Sequence, residues 1–332
     1  MPPNNIVLFT YDASVYGRKI EWYLNLRGIK YAKCITAPYL PREQLQELGI
    51  RYRRIPWLAI GRDVYCDTRI IIEKLEQLIP ENRLASKDPF MRGVEYLLES
   101  WVNEGGPFWR TSQMIPAALL QDDKFLEDRT EMIGVPFSRE GLGAMRPEAL
   151  VHSRIFLDAV ENRFLADGRQ FMSGKDKPDL TDIHTAWVWD WMFGMSKILP
   201  DIAAKEGITK ENYPRAFSWT ARHRESCEAV TERNGKPEIL SNEDAYARVL
   251  GSNTFEDIKG VDKYDPLGLS QGQLIECWPT DSGQNHHDKG KLVALHLKEL
   301  VIESEVPGGK GHLHLHFPRG NFRLKAIQDS KI

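Results

Sequence analysis

The segment that most constrains the fold of this chain runs from residue 55 to Pro80. Residues 56–66 have the composition of two short strands joined by a turn at Gly61-Arg62-Asp63. A helical pattern follows over residues 69–79, and Asp67-Thr68 stands directly ahead of it, where polar side chains cap helices. Two adjacent strands that lead straight into a helix predict a sheet with that helix packed on one face.

A strand–helix–strand unit precedes this segment. Residues 5–10 form a short β-branched run, a helical pattern extends from Ser14 to Gly28, and residues 30–36 can form a second strand. The element order βαβ followed by ββα predicts an α/β domain over residues 1–82.

The rest of the chain divides into two further parts. Apolar residues recur every three or four positions over residues 90–250, which predicts an all-helical domain. Over residues 260–330, short strand-like runs alternate with turns that contain Gly and Asp, which predicts a small antiparallel β extension. We therefore expect three domains.

Charge and cysteine usage narrow the possible functions. The 44 Lys and Arg residues nearly balance the 47 Asp and Glu residues, so no overall field favours nucleic acid or an anionic membrane surface. No stretch approaches the ~20 apolar residues of a membrane helix. The four cysteines are widely spaced, which is typical of a reduced protein. We expect a cytoplasmic protein that binds small molecules or proteins.

Two segments carry a resemblance to a known family. The sequence Ile-Pro-Trp-Leu-x-x-Gly from Ile55 resembles the Val-Pro-x-Leu-x-x-Gly segment of thioredoxin-like glutathione transferases, and residues 164–187 resemble a segment of that family's helical half. The resemblance covers about residues 5–230. It implies a thioredoxin-like domain followed by an all-α domain, the glutathione transferase fold, and it implies a homodimer. Such proteins ordinarily end with the helices, so the β extension is a departure. A chain with this extra tail also resembles divergent glutathione-transferase-like proteins of fungal secondary metabolism.

The resemblance implies a glutathione site. In the family Pro56 would be cis, and the backbone of Ile55 would pair with the cysteinyl unit like an added strand. Asp67-Thr68 stands where the family typically has Glu-Ser. Asp67 would accept the α-amino group of the γ-glutamyl residue, and Thr68 would hold its carboxylate. The alternatives are a trans proline in an edge strand and simple capping of the helix.

Three arginines are candidates for the glycyl carboxylate, which needs a cation: Arg42, Arg53 and Arg54. Arg54 directly precedes Ile55, where the family often has Gln or Lys. Residues 51–54 replace the family's usual Asn-Pro-x-Gly run, so the contacts of this loop differ from the family pattern. All three arginines can instead be solvated surface residues.

Ser14 is the candidate for activating the glutathione thiol. Its position ahead of a basic residue and Gly28-Ile29 resembles the first-helix entry of the zeta and omega classes. A hydroxyl donor at a helix N-terminus stabilises a thiolate, which is the nucleophile. Tyr11 is the rival donor, because tyrosine-type classes place theirs at the end of the first strand. Ser14 can also be only an N-cap, and the thiol-transfer chemistry of the omega class needs a cysteine at that position, whereas Cys66 is expected to be buried.

Aromatic residues of the helical part suggest the wall of an acceptor pocket, namely Trp101, Phe108 and Trp109. Aromatic residues at helical spacing also form ordinary cores. In the tail, His312, His314 and His316 share one face of a strand, and we interpret them as a polar strand face rather than a metal site, because adjacent pairs lie ~6 to 7 Å apart.

The function predicted from these features is that of an enzyme that conjugates glutathione to an apolar electrophile, with glutathione as cosubstrate and no metal. The same thiolate can add reversibly to a conjugated alkene, which would make the protein a cis–trans isomerase. A non-catalytic interaction module built on the same fold is the third hypothesis.

Overall fold

A computed structural model describes residues 5–253 and 255–327 of the chain. The N-terminal unit has the predicted βαβ–ββα order. Its elements are β1 (Ile6–Thr10), α1 (Val15–Arg27), β2 (Ala32–Ile35), α2 (Glu43–Leu48), β3 (Trp57–Ile60), β4 (Asp63–Cys66) and α3 (Thr68–Leu78). Strand β1 lies between β2, to which it is parallel, and β3, to which it is antiparallel, and β4 pairs with the other side of β3. This arrangement is that of a thioredoxin-like domain.

Strand β1 is buried on both faces and contributes to two separate cores. Ile6 and Leu8 pack toward α1, α3 and the helices of the second half, whereas Val7 and Phe9 pack toward the opposite face. This alternation follows from the two-residue period of a strand. The sheet is thus the central layer of the molecule.

The helical unit follows the thioredoxin-like unit. Its helices are α4 (Pro89–Asn103), α5 (Pro107–Gln113), α6 (Asp123–Ile133), α7 (Arg139–Ala159), α8 (Leu180–Ile198), α9 (Pro200–Glu206) and α10 (Pro214–Asn234). The break between α4 and α5 is at the Gly105-Gly106-Pro107 sequence. Asp179 and Asp182 form a reciprocal capping box at the start of α8, and Asp182 also accepts a hydrogen bond from the indole of Trp219. The capping box fixes the central helix of the unit.

The helical unit ends earlier than residue 250. After α10 the chain returns to the sheet as β5 (Glu238–Leu240), which pairs in parallel with β2, and α11 (Asn242–Leu250) packs on the face that contains Val7 and Phe9. The helical period of residues 242–250 is correct. Periodicity, however, does not tell which core a helix joins.

The C-terminal residues form an antiparallel set of strands, as expected, but this set is continuous with the thioredoxin-like sheet. The strands are β6 (Gly260–Val261), β7 (Leu274–Pro279), β8 (Asp288–Leu295), β9 (Glu299–Glu305), β10 (His312–Pro318) and β11 (Phe322–Ala326). Strand β10 pairs in parallel with the edge strand β4, with His316 opposite Tyr65. In the described residues the sheet order is β11-β7-β8-β9-β10-β4-β3-β1-β2-β5. The short strand β6 pairs with β8 in parallel and is the exception to the antiparallel pairing of β7 to β11. We refer to residues 260–327 as the C-terminal module.

Among the described residues there is no helix with the length and apolarity needed to span a membrane.

Candidate functional site

A cleft of about 1040 Å³ is bordered by the thioredoxin-like unit, the helical unit and the C-terminal module. The predicted site residues that line it are Tyr11, Ser14, Arg42, Arg53, Arg54, Ile55, Pro56, Asp67, Thr68, Phe108 and Trp109. The volume is close to the upper limit of small-molecule sites. Residues that are far apart in the sequence therefore border one cavity.

Ser14 lines this cleft and is the N-cap of α1. Its Oγ accepts a hydrogen bond from the backbone N–H of Gly17 at 3.0 Å, and the residue is 4% exposed. Within the described residues the hydroxyl proton of Ser14 has no acceptor in the chain. The cap and a donor role are therefore compatible, because the cap uses only a lone pair of the oxygen.

Tyr11 borders the cleft as well and directly follows β1. Its hydroxyl accepts a hydrogen bond from Nη2 of Arg129 on α6 at 3.3 Å. A third hydroxyl, that of Tyr16, was not foreseen, and it donates to Oδ1 of Asn103 at 3.0 Å. Burial raises the pKa of Tyr16 far above its ordinary value, so this phenol stays protonated.

The backbone of Ile55 presents unused hydrogen-bonding groups at the cleft. The Ile55–Pro56 peptide bond is cis. Within residues 5–253 and 255–327, neither the N–H nor the C=O of Ile55 has a partner in the chain, although Trp57 two positions later is paired with Phe9 and Cys66. Unpaired backbone groups beside a strand can receive an extended peptide.

Asp67 and Thr68 begin α3 at the same side of the cleft. Asp67 caps the helix through a 3.0 Å hydrogen bond from the N–H of Arg69, and its backbone has a φ of 99°. An aspartate tolerates this left-handed φ better than most residues do. The capping and ligand-binding roles can therefore coexist at this helix N-terminus.

Arg54 joins the N-terminal unit to the C-terminal module. Its Nη1 lies 3.7 Å from Oδ2 of Asp67, and its Nη2 forms an ion pair with Asp281 and donates to the backbone carbonyl of Ser282 at 2.8 Å. One guanidinium thus lies between two carboxylates from opposite ends of the chain. Sequence reasoning did not identify Asp281, which is 227 residues from Arg54.

A second contact between the module and the cleft involves Asn321, in the turn between β10 and β11. Its side-chain amide donates to Oε1 of Glu104 at 2.6 Å, and Glu104 forms an ion pair with Arg69 at 2.8 Å. The side of the cleft near Asp67 therefore carries three carboxylates, those of Asp67, Glu104 and Asp281.

Arg42 and Arg53 have structural contacts that differ from their predicted role. The guanidinium of Arg42 donates to the backbone carbonyls of residues 37, 38 and 53, which holds the loop ahead of α2. Arg53 is 2% exposed and pairs with Asp128 and Glu131 of α6. Neither residue is a solvated surface arginine, and we do not retain either as a ligand of the glycyl carboxylate.

The wall of the cleft predicted to hold the acceptor contains aromatic side chains. Phe108 and Trp109 on α5 line it, and the ring of Phe108 lies 6.1 Å from that of Trp191 on α8. Trp101 is not a wall residue. It lies on a side of α4 that does not line the cleft, and it packs against Phe156, Phe164 and Trp189.

The histidines of β10 do not form an exposed polar face. His312 is exposed, but His316 is fully buried between two carboxylates, with Nε2 2.9 Å from Asp63 and Nδ1 2.7 Å from Glu299. Burial opposes the charge, yet the two hydrogen bonds raise the pKa of His316 above its ordinary value. His316 is buried because β10 lies inside the sheet, where α3 covers it.

These side chains also satisfy a distance criterion for metal ligation. Single ligand atoms of Asp63, His314 and His316 lie within 4.8 Å of one another. However, both nitrogens of His316 already face carboxylates, and Lys74 bonds to Glu256 and Glu299 at 2.7 and 2.6 Å. We therefore interpret the group as an ionic network that attaches the C-terminal module to the thioredoxin-like unit.

The cysteines lie outside the catalytic geometry. All four are buried and free, and none lines the cleft in the described part of the chain. Burial raises the pKa of Cys66, at the end of β4, well above its ordinary value. A buried thiol of this kind is unreactive.

Comparisons with known proteins agree with this architecture. Residues 8–83 match the family described as glutathione S-transferase, N-terminal domain, and residues 110–232 match a family described as a domain of unknown function (DUF7962). A probable glutathione S-transferase from Nicotiana tabacum is 22% identical over 219 residues, which cover 66% of this chain and 83% of the relative.

Solved structures share the fold. A GST-like protein from Pseudomonas syringae superposes with a TM-score of 0.69 at 20% identity over 98% of this chain and 100% of its own, so the similarity includes the C-terminal module. A glutathione S-transferase from Rhodospirillum rubrum superposes with a TM-score of 0.50 at 17% identity and covers 70% of this chain and 94% of its own. With its matched N-terminal domain, its helical unit and its added β strands, the chain has a glutathione S-transferase-like fold, and residues 8–83 match the N-terminal domain of that family.

Proposed function

We propose that this chain binds glutathione in the cleft and activates its thiolate for attack on an electrophilic small molecule. The cysteinyl unit lies along Ile55, the γ-glutamyl end lies at Asp67 and Thr68, and the sulfur lies near Ser14. The observation that carries the proposal is that the unpaired backbone groups of Ile55, the Asp67 helix terminus and the hydroxyl of Ser14 border one cleft.

The chemistry assigned to Ser14 follows from its hydrogen bonds. Its oxygen is fixed by the N–H of Gly17, and its proton is available to a thiolate. A hydrogen bond to the charged form, at the N-terminus of α1, lowers the pKa of the bound thiol and raises the thiolate population at neutral pH. The thiolate then forms a C–S bond while the leaving group departs with its electron pair, or it adds to a conjugated alkene whose carbanion takes up a proton.

Cis–trans isomerisation is a variant of the same proposal. Addition of the thiolate to a conjugated alkene, rotation about the resulting single bond and elimination need no residue beyond those that activate the thiol. A cis-alkene incubated with the protein separates the two outcomes. Isomerisation changes the alkene geometry without consuming glutathione, whereas conjugation consumes one glutathione for each alkene.

Glutathione binding itself tests the proposal and separates it from a non-catalytic interaction module that has lost the ligand. We expect retention on immobilised glutathione and a raised melting temperature with free glutathione. The Asp67→Asn variant keeps an N-cap and a residue that tolerates positive φ, but it loses the charge that pairs with the α-ammonium group. Its glutathione dissociation constant is expected to rise about 10-fold.

The matched control is Asp88→Asn, because Asp88 caps α4 with the same hydrogen-bond pattern and does not line the cleft. This variant should bind glutathione like the wild type. A protein that is neither retained nor stabilised by glutathione would refute the proposal, and an unchanged affinity in Asp67→Asn would refute the γ-glutamyl assignment alone.

The proposal includes a reducing, cytoplasmic environment, which the four free cysteines support.

The proposal also includes a homodimer. Large apolar side chains on α4 support self-association, since Phe90, Tyr96 and Leu97 are 76, 70 and 64% exposed. Light scattering decides the oligomeric state, and a monomer at micromolar concentration would remove this part of the proposal.

A further inference from the structure

The cleft contains a charged group that the glutathione site does not use. Arg18 of α1 and Arg224 of α10 both form ion pairs with Asp190 of α8, and all three residues line the cleft. Nη1 of Arg18 lies 3.1 Å from Oδ2 of Asp190, and Arg224 contacts the other oxygen. We call Arg18 and Arg224 the arginine pair and Asp190 its bridging carboxylate.

Burial and charge within this group are unequal. The side chain of Asp190 is 2% exposed, whereas those of Arg18 and Arg224 are 41 and 29% exposed. Two cations share one carboxylate, so one positive charge has no counterpart inside the group. In the described residues each guanidinium makes one hydrogen bond, to Asp190, out of five N–H donors. The free donors and the excess charge suit an oxyanion.

The group adjoins both the thiolate position and the apolar wall. Arg18 follows Ser14 by one helical turn, and the backbone N–H of Arg18 donates to the backbone carbonyl of Ser14 at 2.9 Å. Trp191 follows Asp190 directly and lies beside Phe108. A ligand that rests on this wall next to the glutathione sulfur therefore also comes within reach of the arginine pair.

We propose that the electrophilic substrate of this protein is an amphipathic acid, whose carboxylate binds to Arg18 and Arg224 while its apolar body packs against Phe108 and Trp191. This inference rests on the function proposed above. It adds a charged group to a substrate that the sequence suggested to be apolar, and it makes Asp190 a positioning residue that holds both guanidinium groups toward the cleft.

The test compares two aryl chlorides that differ in charge, 4-chloro-3-nitrobenzoate and 4-chloro-3-nitrobenzamide. In each reaction the thiolate forms a C–S bond at the carbon that carries chlorine, and chloride leaves with the electron pair. The measured quantity is the ratio of kcat/KM for the acid to that for the amide, compared between proteins, so that the different reactivities of the two compounds cancel.

We expect Arg224→Gln and Arg18→Gln each to lower this ratio about 5- to 20-fold, the size of a partly exposed charge-assisted hydrogen bond. Arg224→Lys should restore part of the preference. The matched control is Arg222→Gln, which alters an arginine of the same helix that donates to the carbonyl of Gln170 and does not line the cleft. Should Arg224→Gln fail to fold, Arg18→Gln decides, since its side chain is the more exposed.

A second readout does not depend on turnover or on glutathione. Calorimetry with 3-nitrobenzoate and 3-nitrobenzamide in the absence of glutathione should show preferential binding of the acid to the wild type, and the preference should fall in both glutamine variants. This result can be obtained even if glutathione does not bind, so failure of the two proposals can be told apart. An unchanged preference in both variants would overturn the inference. A weakened glutathione affinity in Arg224→Gln would also overturn it, because the arginine pair would then bind the peptide's own carboxylate.

Discussion

The two ends of the cleft have opposite charge and different construction. The acidic end has Asp67, Glu104 and Asp281 around Arg54 and Arg69, and its parts come from the start of α3, the end of α4 and the C-terminal module. The basic end has the arginine pair around Asp190, and its parts come from helices α1, α8 and α10. The acidic end therefore depends on the C-terminal module, whereas the basic end does not.

This difference suggests how one cleft distinguishes two ligands. An α-ammonium group is attracted to the acidic end, and a substrate carboxylate is repelled there and attracted to the basic end. Under the two proposals above, charge sets the orientation of both ligands relative to the thiolate. Variants that affect one end and leave the other unchanged test this division.

The largest expected effect follows from His316→Leu, which removes the cation between Asp63 and Glu299 at the junction of the module and the thioredoxin-like unit. Breaking a buried ion pair leaves an uncompensated charge, so the free energy of unfolding should fall by about 3–5 kcal/mol. Glutathione affinity should fall with it, since Asp281 and Asn321 lose their position. The preference for an acidic substrate should persist in the folded fraction.

Chemical denaturation measures the first effect, and titration with glutathione measures the second. His312→Leu is the matched control, because this exposed histidine lies on the same strand, and its effect should stay within about 0.5 kcal/mol. An unfolding free energy unchanged by His316→Leu would show that strand pairing alone attaches the module.

The next largest effect is expected at Ser14, which is proposed to contact the glutathione thiolate. Ser14→Ala removes a donor to the thiolate, so kcat/KM should fall about 10- to 100-fold, as expected for a hydrogen bond to a charged group. The pKa of bound glutathione, followed by the ultraviolet absorbance of the thiolate, should rise in parallel. The comparison variant is Tyr11→Phe, which removes a hydroxyl that in the wild type accepts a hydrogen bond from Arg129. If Tyr11→Phe raises the thiol pKa and Ser14→Ala does not, the donor is Tyr11.

The features predicted correctly from the sequence are those encoded by near neighbours. The cap at Ser14, the position of Pro56 ahead of a strand pair and the cap at Asp67 each depend on residues within a few positions. Trp101 could not be separated from Phe108 in this way, because both are aromatic residues of helical segments that pack against α8, and only the fold shows that Phe108 lines the cleft and Trp101 does not.

The rest of the site depends on contacts across long sequence separations. The pairing of β10 with β4 joins His314 to Asp63, and no local pattern encodes it. Asp281 beside Arg54 and Arg224 beside Asp190 follow from that pairing and from helix packing. One local signal was present, since Arg18 lies one helical turn after Ser14 and therefore on the same face of α1. A single sequence could place Arg18 beside Ser14, but it could not show that Arg224 faces it.

The smallest expected effect tests the contribution of the module to the acidic end. Asp281→Asn removes a carboxylate whose side chain is 56% exposed, so glutathione affinity should fall only about 2- to 5-fold, as for an exposed ion pair. The loss should diminish at high salt, since an exposed pair is screened. Asp257→Asn, which changes an 89% exposed aspartate that lies outside the cleft lining, is the control and should have no effect. A glutathione affinity unchanged by Asp281→Asn at low salt would mean that the module only closes this end of the cleft sterically, because Arg54 would then keep its position through Asp67 and the carbonyl of Ser282.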